Sequence, residues 1–483
     1  MPFLRLVGAD ELSPSIGLWR VDGRLVPQLR RAGLLRLAQP DRRLVPARVQ
    51  ARSADPLAAS EWWIADVGAD RAQPVGPGVP VTVVDTGIDL THPEFAGRAD
   101  TTTLNEQNIG NTKEDFHGTA VASVVAAPEN GVGVVGVYPQ ASLRLYDADL
   151  SGRLSDSELI RGIEAAAQAG AGVINLSLGG TEADPALQDE IYSVFRRGSL
   201  VVAASGNSKD EGNPQTFPAT MSHVLTVAAT DESDSTTSFS SSSPWVDLAA
   251  PGVDIPAAVP LSFDASGYAL LDGTSFSAPI VSGAAALVWT ARPKLDNTQI
   301  FDLIRWSARD VGPPGFDEDT GWGILDLPAA LTEQAPAPDP QEPNDDVFLV
   351  KPSGLFRSGT ASLTSSSRTS AKLSARVDVT EDPEDVYRVF VPAHKTATIT
   401  VHGSENVDLK AWKPSTRTVD ESGTAAKRDL AGSSAKTGKA ADTVTVANTG
   451  TRGAYYYADV FPGPRVGLAA YTLSVTIRAP ARK

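Results

Sequence analysis

The sequence predicts an α/β domain, three-layered around a mainly parallel sheet, followed by a separate all-β sandwich. Three observations carry this. From Val81 onward, short apolar runs rich in β-branched residues alternate with helical stretches, the pattern of a parallel sheet covered on both faces. Residues 332–344 contain Pro336, Pro338, Pro340 and Pro343, with Pro328 just before them, among alanine, glutamine and acids, which makes a stiff, solvated linker. Beyond it the texture changes to short alternating strands separated by Ser/Thr/Gly stretches.

Taken in order, Val81–Asp85 reads as a strand released by Gly87, and His117–Ala127 as a helix of small residues. Leu143–Tyr146 is a strand. Ser155–Ala169 is a helix whose Ser155 and Glu158 have the spacing of a capping box. Val173–Leu176 and Leu200–Ala204 are strands around a helix at Pro185–Arg197, Val224–Ala228 is another strand, and Asn297–Ser307 a further helix. In the second domain the expected strands are Val386–Val391, Thr396–Val401, Asp408–Trp412, Thr443–Val446, Tyr455–Val460 and Tyr471–Val475.

Residues 1 to about 54 differ from the rest. They hold ten arginines against Asp10, Glu11, Asp22 and Asp41, with Asp55 at the edge, on a chain whose formal net charge is −16. The segment is read either as a removable N-terminal segment or as a permanent extension packed on the catalytic region. The domain plan is thus 1–54, 55–331, the linker 332–344, and 345–483.

Composition narrows the function. A chain of 483 residues exceeds one ordinary core. The acidic balance argues against nucleic acid or an anionic membrane surface as partner, and a monomer is expected. With no cysteine, disulfides, zinc-thiolate sites and a cysteine nucleophile are excluded. No run of 18 apolar residues suggests a membrane span. The first ten residues lack a basic region followed by an apolar one, so a secretory signal is expected to be absent or already removed.

The chemistry centres on Asp272–Gly283, where Gly273 and Thr274 precede Ser275 and an alanine-rich apolar run follows to Trp289. This is a loop entering a buried helix with Ser275 at its N-terminus, where unpaired N–H groups and the dipole favour developing negative charge. Alone, the stretch reads equally as a Ser-capped structural helix. A serine hydroxyl needs a base. Of the five histidines, His394 and His402 lie in the second domain, and His92 and His223 have no partner signal; His117 opens a His-Gly-Thr helix start. Asp85 ends a strand upstream, at the carboxyl edge where α/β sheets place sites. Asp, then His, then Ser is one of the chain orders in which the hydrolytic triad recurs.

With these flanks (Val-Thr-Val-Val-Asp-Thr-Gly-Ile-Asp from Val81, His-Gly-Thr-Ala-Val-Ala-Ser from His117, Gly-Thr-Ser from Gly273) the chain resembles the subtilisin-like serine proteases, or subtilases. The resemblance implies a serine endopeptidase acting on extended polypeptides, secreted, without a catalytic cofactor, with Ser275 as nucleophile, His117 as general base and Asp85 orienting it. Val201–Asn207 resembles the family's strand-Gly-Asn motif, which makes Asn207 the oxyanion donor. Asn175–Gly180 matches the segment that pairs with substrate, giving Ser177, Leu178, Gly179 and Gly180, with Leu150, Ser151 and Gly152 as the opposite strand. Phe217-Pro218-Ala219 resembles a turn near the first specificity pocket, beside Thr216. Glu94, Asn130 and the carbonyls of Pro128, Val132 and Val134 match a family loop that holds structural Ca²⁺. Trp322–Leu327 resembles the strand closing the domain, and Asp55, Pro56, Glu61 and Trp62 the start of the catalytic region. Residues 1–54 would match the family's pro-segment, cut near Gln50–Asp55. Glu342–Asp345, Asp382–Tyr387 and Ala454–Tyr457 resemble the bacterial pre-peptidase C-terminal domain. Phe276 and Ser277 depart from the usual pattern after the nucleophile without touching a triad role. Two other readings use the same residues: an inactive protease-fold scaffold, and a transpeptidase or cyclase in which an amine resolves the acyl-enzyme.

Overall fold

The computed structural model describes residues 9–479 apart from 33, 36, 39–44, 47–49, 54–59, 74 and 110–114. The chain forms two compact units, Met1–Pro336 and Ala337–Lys483, dividing inside the Pro-rich stretch. Residues 337–344, expected as linker, therefore belong to the second unit. Asp55 and Pro56 lie outside the described residues.

The first unit begins with β1 (Asp10–Ser13), β2 (Leu18–Arg20), α1 (Val26–Arg31), β3 (Val45–Pro46), β4 (Gln50–Ser53) and α2 (Trp62–Asp66). The body follows: β5 (Val81–Asp85), β6 (Thr101–Thr103), α3 (His117–Ala126), β7 (Leu143–Asp147), α4 (Asp156–Gln168), β8 (Val173–Leu176), β9 (Leu178–Gly179), α5 (Pro185–Arg196), β10 (Leu200–Ala204), β11 (Val224–Thr230) and β12 (Leu248–Pro251). It ends with β13 (Ile255–Ala258), β14 (Tyr268–Asp272), α6 (Thr274–Ala291), α7 (Asn297–Trp306) and α8 (Leu327–Thr332).

Seven strands make one sheet in the order β12-β11-β10-β8-β5-β7-β6, and every pairing in it is parallel. Because successive side chains point to opposite faces, each strand feeds two cores. Val81, Val83, Leu200 and Val202 pack with α3, α6 and α7, whereas Val84, Ile174, Val201 and Ala203 pack with α4 and α5. Each valine so buried contributes roughly 1.5–3 kcal/mol. Helix α6 is buried from Thr274 to Trp289, so it needs no polar face; it is long and apolar enough for a membrane span but serves as the core helix.

Helix starts follow local chemistry. Ser155 caps α4 by accepting from the Glu158 N–H, Asp184 caps α5 ahead of Pro185, and Asp296 with Gln299 forms a full capping box on α7. Trp322–Leu327 is not a strand. Ile324 makes only single bridges to Ala249 and Arg309, since Gly321 and Gly323 turn the chain with φ of 61° and 123° and Asp326 already caps α8.

The second unit holds α9 (Val347–Val350), β15 (Ser370–Asp378), β16 (Asp385–Val391), β17 (Lys395–Gly403), β18 (Val407–Trp412), α10 (Gly423–Asp429), β19 (Leu430–Ser434), β20 (Asp442–Asn448), β21 (Ala454–Pro462) and β22 (Leu468–Arg478). Two four-stranded antiparallel sheets, β15-β22-β17-β20 and β16-β21-β18-β19, close on a shared core that includes Val389, Ile399, Leu409, Val460 and Val475. In β20, buried and exposed residues alternate strictly. Strands β15 and β19 carry no apolar run and were not legible in the sequence.

Candidate active site

Asp85 ends β5, fully buried at the carboxyl edge of the sheet. Its Oδ1 accepts the Thr86 N–H at 2.7 Å and lies 2.7 Å from His117 Nδ1. His117 is the first residue of α3. The helix start can come this close because residue 118 is glycine: a Cβ there would stand 2.1 Å from the Thr86 carbonyl oxygen. The Thr86 hydroxyl accepts the Gly118 N–H at 2.8 Å and latches the contact. With Nδ1–H given to Asp85, Nε2 of a neutral imidazole is the acceptor. That nitrogen is buried and has no hydrogen-bond partner among the described residues.

Ser275 is the second residue of α6, after Gly273 at φ 148°, ψ 153°. Its Oγ–H donates to the Ser177 carbonyl at 3.2 Å, and the Ser177 hydroxyl donates back to the Ser275 carbonyl at 2.8 Å. Behind this pair the Asn175 amide donates to Ser177 Oγ at 3.0 Å, and the Ser282 hydroxyl donates to Asn175 Oδ1 at 2.9 Å. Phe276 fills the core next to the imidazole, with ring centroids 6.0 Å apart, and is fully buried.

Asn207 follows β10 through Gly206. Its Oδ1 accepts both the Thr274 N–H at 2.9 Å and the Thr274 hydroxyl at 2.7 Å, which sets Nδ2 as the donating end. The roles of Thr86, Thr274 and Ser282 were missed by the sequence reading, because a hydroxyl inside an apolar run carries no periodic signal.

Ser177–Gly180 runs from β8 to a two-way hydrogen bond between Gly180 and Phe217, N–H to carbonyl at 2.9 and 2.7 Å. Thr216 is thereby held beside this segment. Leu150–Gly152 does not form an opposing strand: it is a turn, closed by the Gly152 N–H to the Asp149 carbonyl at 2.6 Å with Gly152 at φ 71°. Asp210 and Glu211 are exposed on their loop. Of the other histidines in this unit, His92 Nε2 lies 2.9 Å from the Gly267 carbonyl and His223 stacks on Phe195 with centroids 4.4 Å apart.

The N-terminal segment lies on the same edges. β3 pairs antiparallel with β9, Val45 facing Gly179 and Pro46 facing Leu178, and β4 pairs antiparallel with β14, Gln50 facing Asp272. Upstream, β1 and β2 dock on α4: Leu12 enters the α4/α5 core, Arg20 donates to Ser157 at 2.9 Å and pairs with Glu158, and Ser15 donates to Glu164 at 2.6 Å.

Of the five candidate calcium residues, Pro128, Asn130, Val132 and Val134 share one loop, and Glu94 reaches it from the stretch after β5. Glu94 Oε1 accepts the Val134 N–H and the Tyr268 hydroxyl, both at 2.9 Å, Oε2 faces the Asn130 amide at 3.4 Å, and Asn130 Oδ1 accepts the Val132 N–H at 2.8 Å. Donors already surround the carboxylate, and burial raises its pKa. Glu61, accepting the Val135 N–H nearby, is pushed up to about 8 by burial. In the second unit Asp339, Glu342 and Asp385 bring carboxylate oxygens within 4.8 Å of one another, a group the sequence reading did not name.

Comparison with known proteins agrees with this geometry. The family model of the Peptidase_S8 subtilases matches residues 76–323. The chain is 37% identical over 276 residues to subtilisin BL of Lederbergia lenta, spanning 56% of this chain and 97% of that protein. It is 34% identical over 270 residues to subtilisin DY of Bacillus licheniformis, spanning 55% and 96%. A solved subtilisin-like protease, Apa1 from the Antarctic psychrotroph Pseudoalteromonas sp. AS-11, aligns with a TM-score of 0.48 at 19% identity, over 56% of this chain and 96% of that one. An Asp–His pair at the carboxyl edge of a parallel sheet, a serine at the start of the buried core helix, and a family match across all three place this chain in the subtilase family.

Proposed function

We propose that this serine peptidase is an endopeptidase working through a Ser275 acyl-enzyme. The observation that carries the reading is the buried His117 Nε2, without a partner among the described residues, on an imidazole whose other nitrogen is held by Asp85 at 2.7 Å. A buried acceptor left unpaired is costly, and a base that must take a proton has to be left so. In the reaction the Ser275 hydroxyl turns from the Ser177 carbonyl toward His117, gives its proton to Nε2, and Oγ attacks the substrate carbonyl. The imidazolium is stabilised by Asp85. The new oxyanion takes the Ser275 N–H and the Asn207 amide. His117 then protonates the leaving amine, and a water activated by the same nitrogen frees the acid. Ser177–Gly180 offers backbone groups to an extended substrate, which reads main chain rather than sequence.

The N-terminal segment is proposed as this site's own inhibitor, since β3 and β4 occupy the edges a substrate needs. Secretion is proposed from the family resemblance, and the β unit from Ala337 is taken as a separable module. The test is Ser275→Ala: it abolishes fluorophosphonate labelling and casein cleavage while circular dichroism is unchanged. Undiminished proteolysis would refute the nucleophile, and labelled wild type that forms only amide products from added amines would favour the transpeptidase.

A further inference from the structure

We infer that the enzyme selects a large apolar residue on the leaving side of the cleaved bond, and that Phe263, stacked on Phe116 beside the general base, selects it. The inference rests on the reading of Ser275 as nucleophile and of His117 as the group that protonates the leaving amine. Phe116 directly precedes His117, and the two rings stand edge to face with centroids 6.3 Å apart. Phe276 also neighbours the imidazole, but it is fully buried in the core. Phe116 is only half-buried, and Phe263 stacks on it with centroids 4.2 Å apart and 26° between the planes. Phe263 still keeps 42% of its surface exposed, and Leu261, two residues before it, keeps 57%. One exposed apolar side chain is ordinary on a surface. An exposed ring stacked on the neighbour of the base, with a second exposed apolar residue on its loop, is a face that an apolar side chain can cover.

The loop that carries this face, between β13 and β14, is held in place. The Val259 N–H donates to the Gly267 carbonyl at 2.8 Å, the Phe263 N–H to the Pro260 carbonyl at 2.8 Å and the Gly267 N–H to the Asp264 carbonyl at 3.0 Å. Asp264 Oδ1 accepts the Ser266 N–H at 2.8 Å and its hydroxyl at 2.7 Å, and buried His92 Nε2 lies 2.9 Å from the Gly267 carbonyl. Gly267, at φ 79°, leaves room for Leu261: a Cβ there would lie 3.3 Å from Leu261 Cδ2. The face is therefore formed before a substrate arrives. Its position fits the leaving side. Successive residues of an extended chain lie about 3.3 Å apart, so the 6.3 Å from the imidazole to the Phe116 ring is the reach of two residues. The chain's own backbone marks the same direction. β3 lies along β9 of the substrate edge, and β4 lies along β14 from Gln50 facing Asp272 to Ser53 facing Ala269. An extended chain laid on β14 in that sense leads away from the nucleophile and toward the Phe263 loop. The first or second residue after the cut is thus the one whose side chain covers Phe263.

The experiment uses the full chain as expressed, with fluorophosphonate labelling to show that the site is open. A peptide methyl ester forms the acyl-enzyme, and added amines compete with water for it. The amine nitrogen bonds the acyl carbon, its proton passes through His117 to Ser275 Oγ, and the ester bond to Ser275 breaks. An acceptor amine thus occupies the place of the leaving amine, and the ratio of amide to acid product reads its binding there. Phenylalaninamide is compared with glycinamide, and Gly-Phe amide with Gly-Gly amide. Wild type should prefer the phenylalanine acceptor by roughly tenfold in at least one pair, the scale of one well-filled apolar contact. Phe263→Ala should remove most of that preference. Phe263→Leu, which keeps an apolar side chain but no ring to stack, should lower it by less, and it stands in if Phe263→Ala loses labelling. A wild type that labels yet takes both acceptors of each pair equally, or a preference unmoved by both variants, would overturn the inference while leaving the nucleophile standing. No labelling and no ester turnover would overturn both.

Discussion

The approach of α3 to β5 gives the sharpest test of how the site is built. Gly118→Ala puts a methyl 2.1 Å from the Thr86 carbonyl oxygen, where real Cβ atoms keep at least 3.0 Å, and also 2.9 Å from the Thr86 carbonyl carbon. These are backbone atoms at the end of a buried strand, so no side chain can rotate to make room. The helix start must back away by ~0.9 Å, the difference between 2.1 and 3.0 Å. His117 is the residue before, and its 2.7 Å bond to Asp85 has little slack. A displacement of that size carries it past the ~3.2 Å limit of a sound hydrogen bond. A misplacement of about 1 Å costs on the order of 10²-fold in rate, and overpacking a tight contact costs about 1–3 kcal/mol of stability. The assay is kcat/KM on a small peptide ester beside thermal unfolding by circular dichroism. Expected is a hundredfold loss in kcat/KM, carried by kcat rather than KM, with a folded protein of lowered Tm. A Gly118→Ala enzyme with wild-type kcat would refute the account of how the imidazole is positioned.

Asn207→Leu should lower kcat by roughly 10²–10³, the loss that one oxyanion donor costs in subtilisin itself, with KM near wild type; a drop in KM-dependent binding alone would remove Asn207 from the transition state. Stability of the first unit should fall as pH rises past the ordinary glutamate range. Glu190 is fully buried, with Glu164 and the shared Arg197 facing it, and burial holds its pKa well above the usual carboxylate range. A raised carboxyl binds its proton more tightly in the folded state than in the unfolded chain, so this contribution is fully present below about pH 4.3, the ordinary glutamate value, and declines above it. Thermal unfolding of full-length Ser275→Ala should give a Tm that falls from pH 5 to 8 and a flatter profile in Glu190→Gln; equal slopes would reject the linkage. Limited proteolysis should nick residues 335–341 and leave ester hydrolysis intact; loss of turnover with the cut would make the β unit part of the catalytic machinery.

The sequence by itself determined the parallel sheet and the ends of its elements. Val81–Asp85, Val173–Leu176 and Leu200–Ala204 stand in the structure residue for residue, because a strand buried on both faces must be a continuous apolar run bounded by breakers, and that signal is local. The start of α4 was legible for the same reason, since a cap acts within one turn. So was the place of Asp85, His117 and Ser275 at the ends of their elements. Only the tertiary structure decided what those ends meet. The β3–β9 and β4–β14 pairings join residues more than a hundred positions apart, and backbone pairing leaves no residue-type signature on either partner. The donors that surround Glu94 and the paired hydrogen bonds between Gly180 and Phe217 belong to the same class. Each depends on which atoms a distant segment brings within 3 Å, and short-range periodicity holds no record of that.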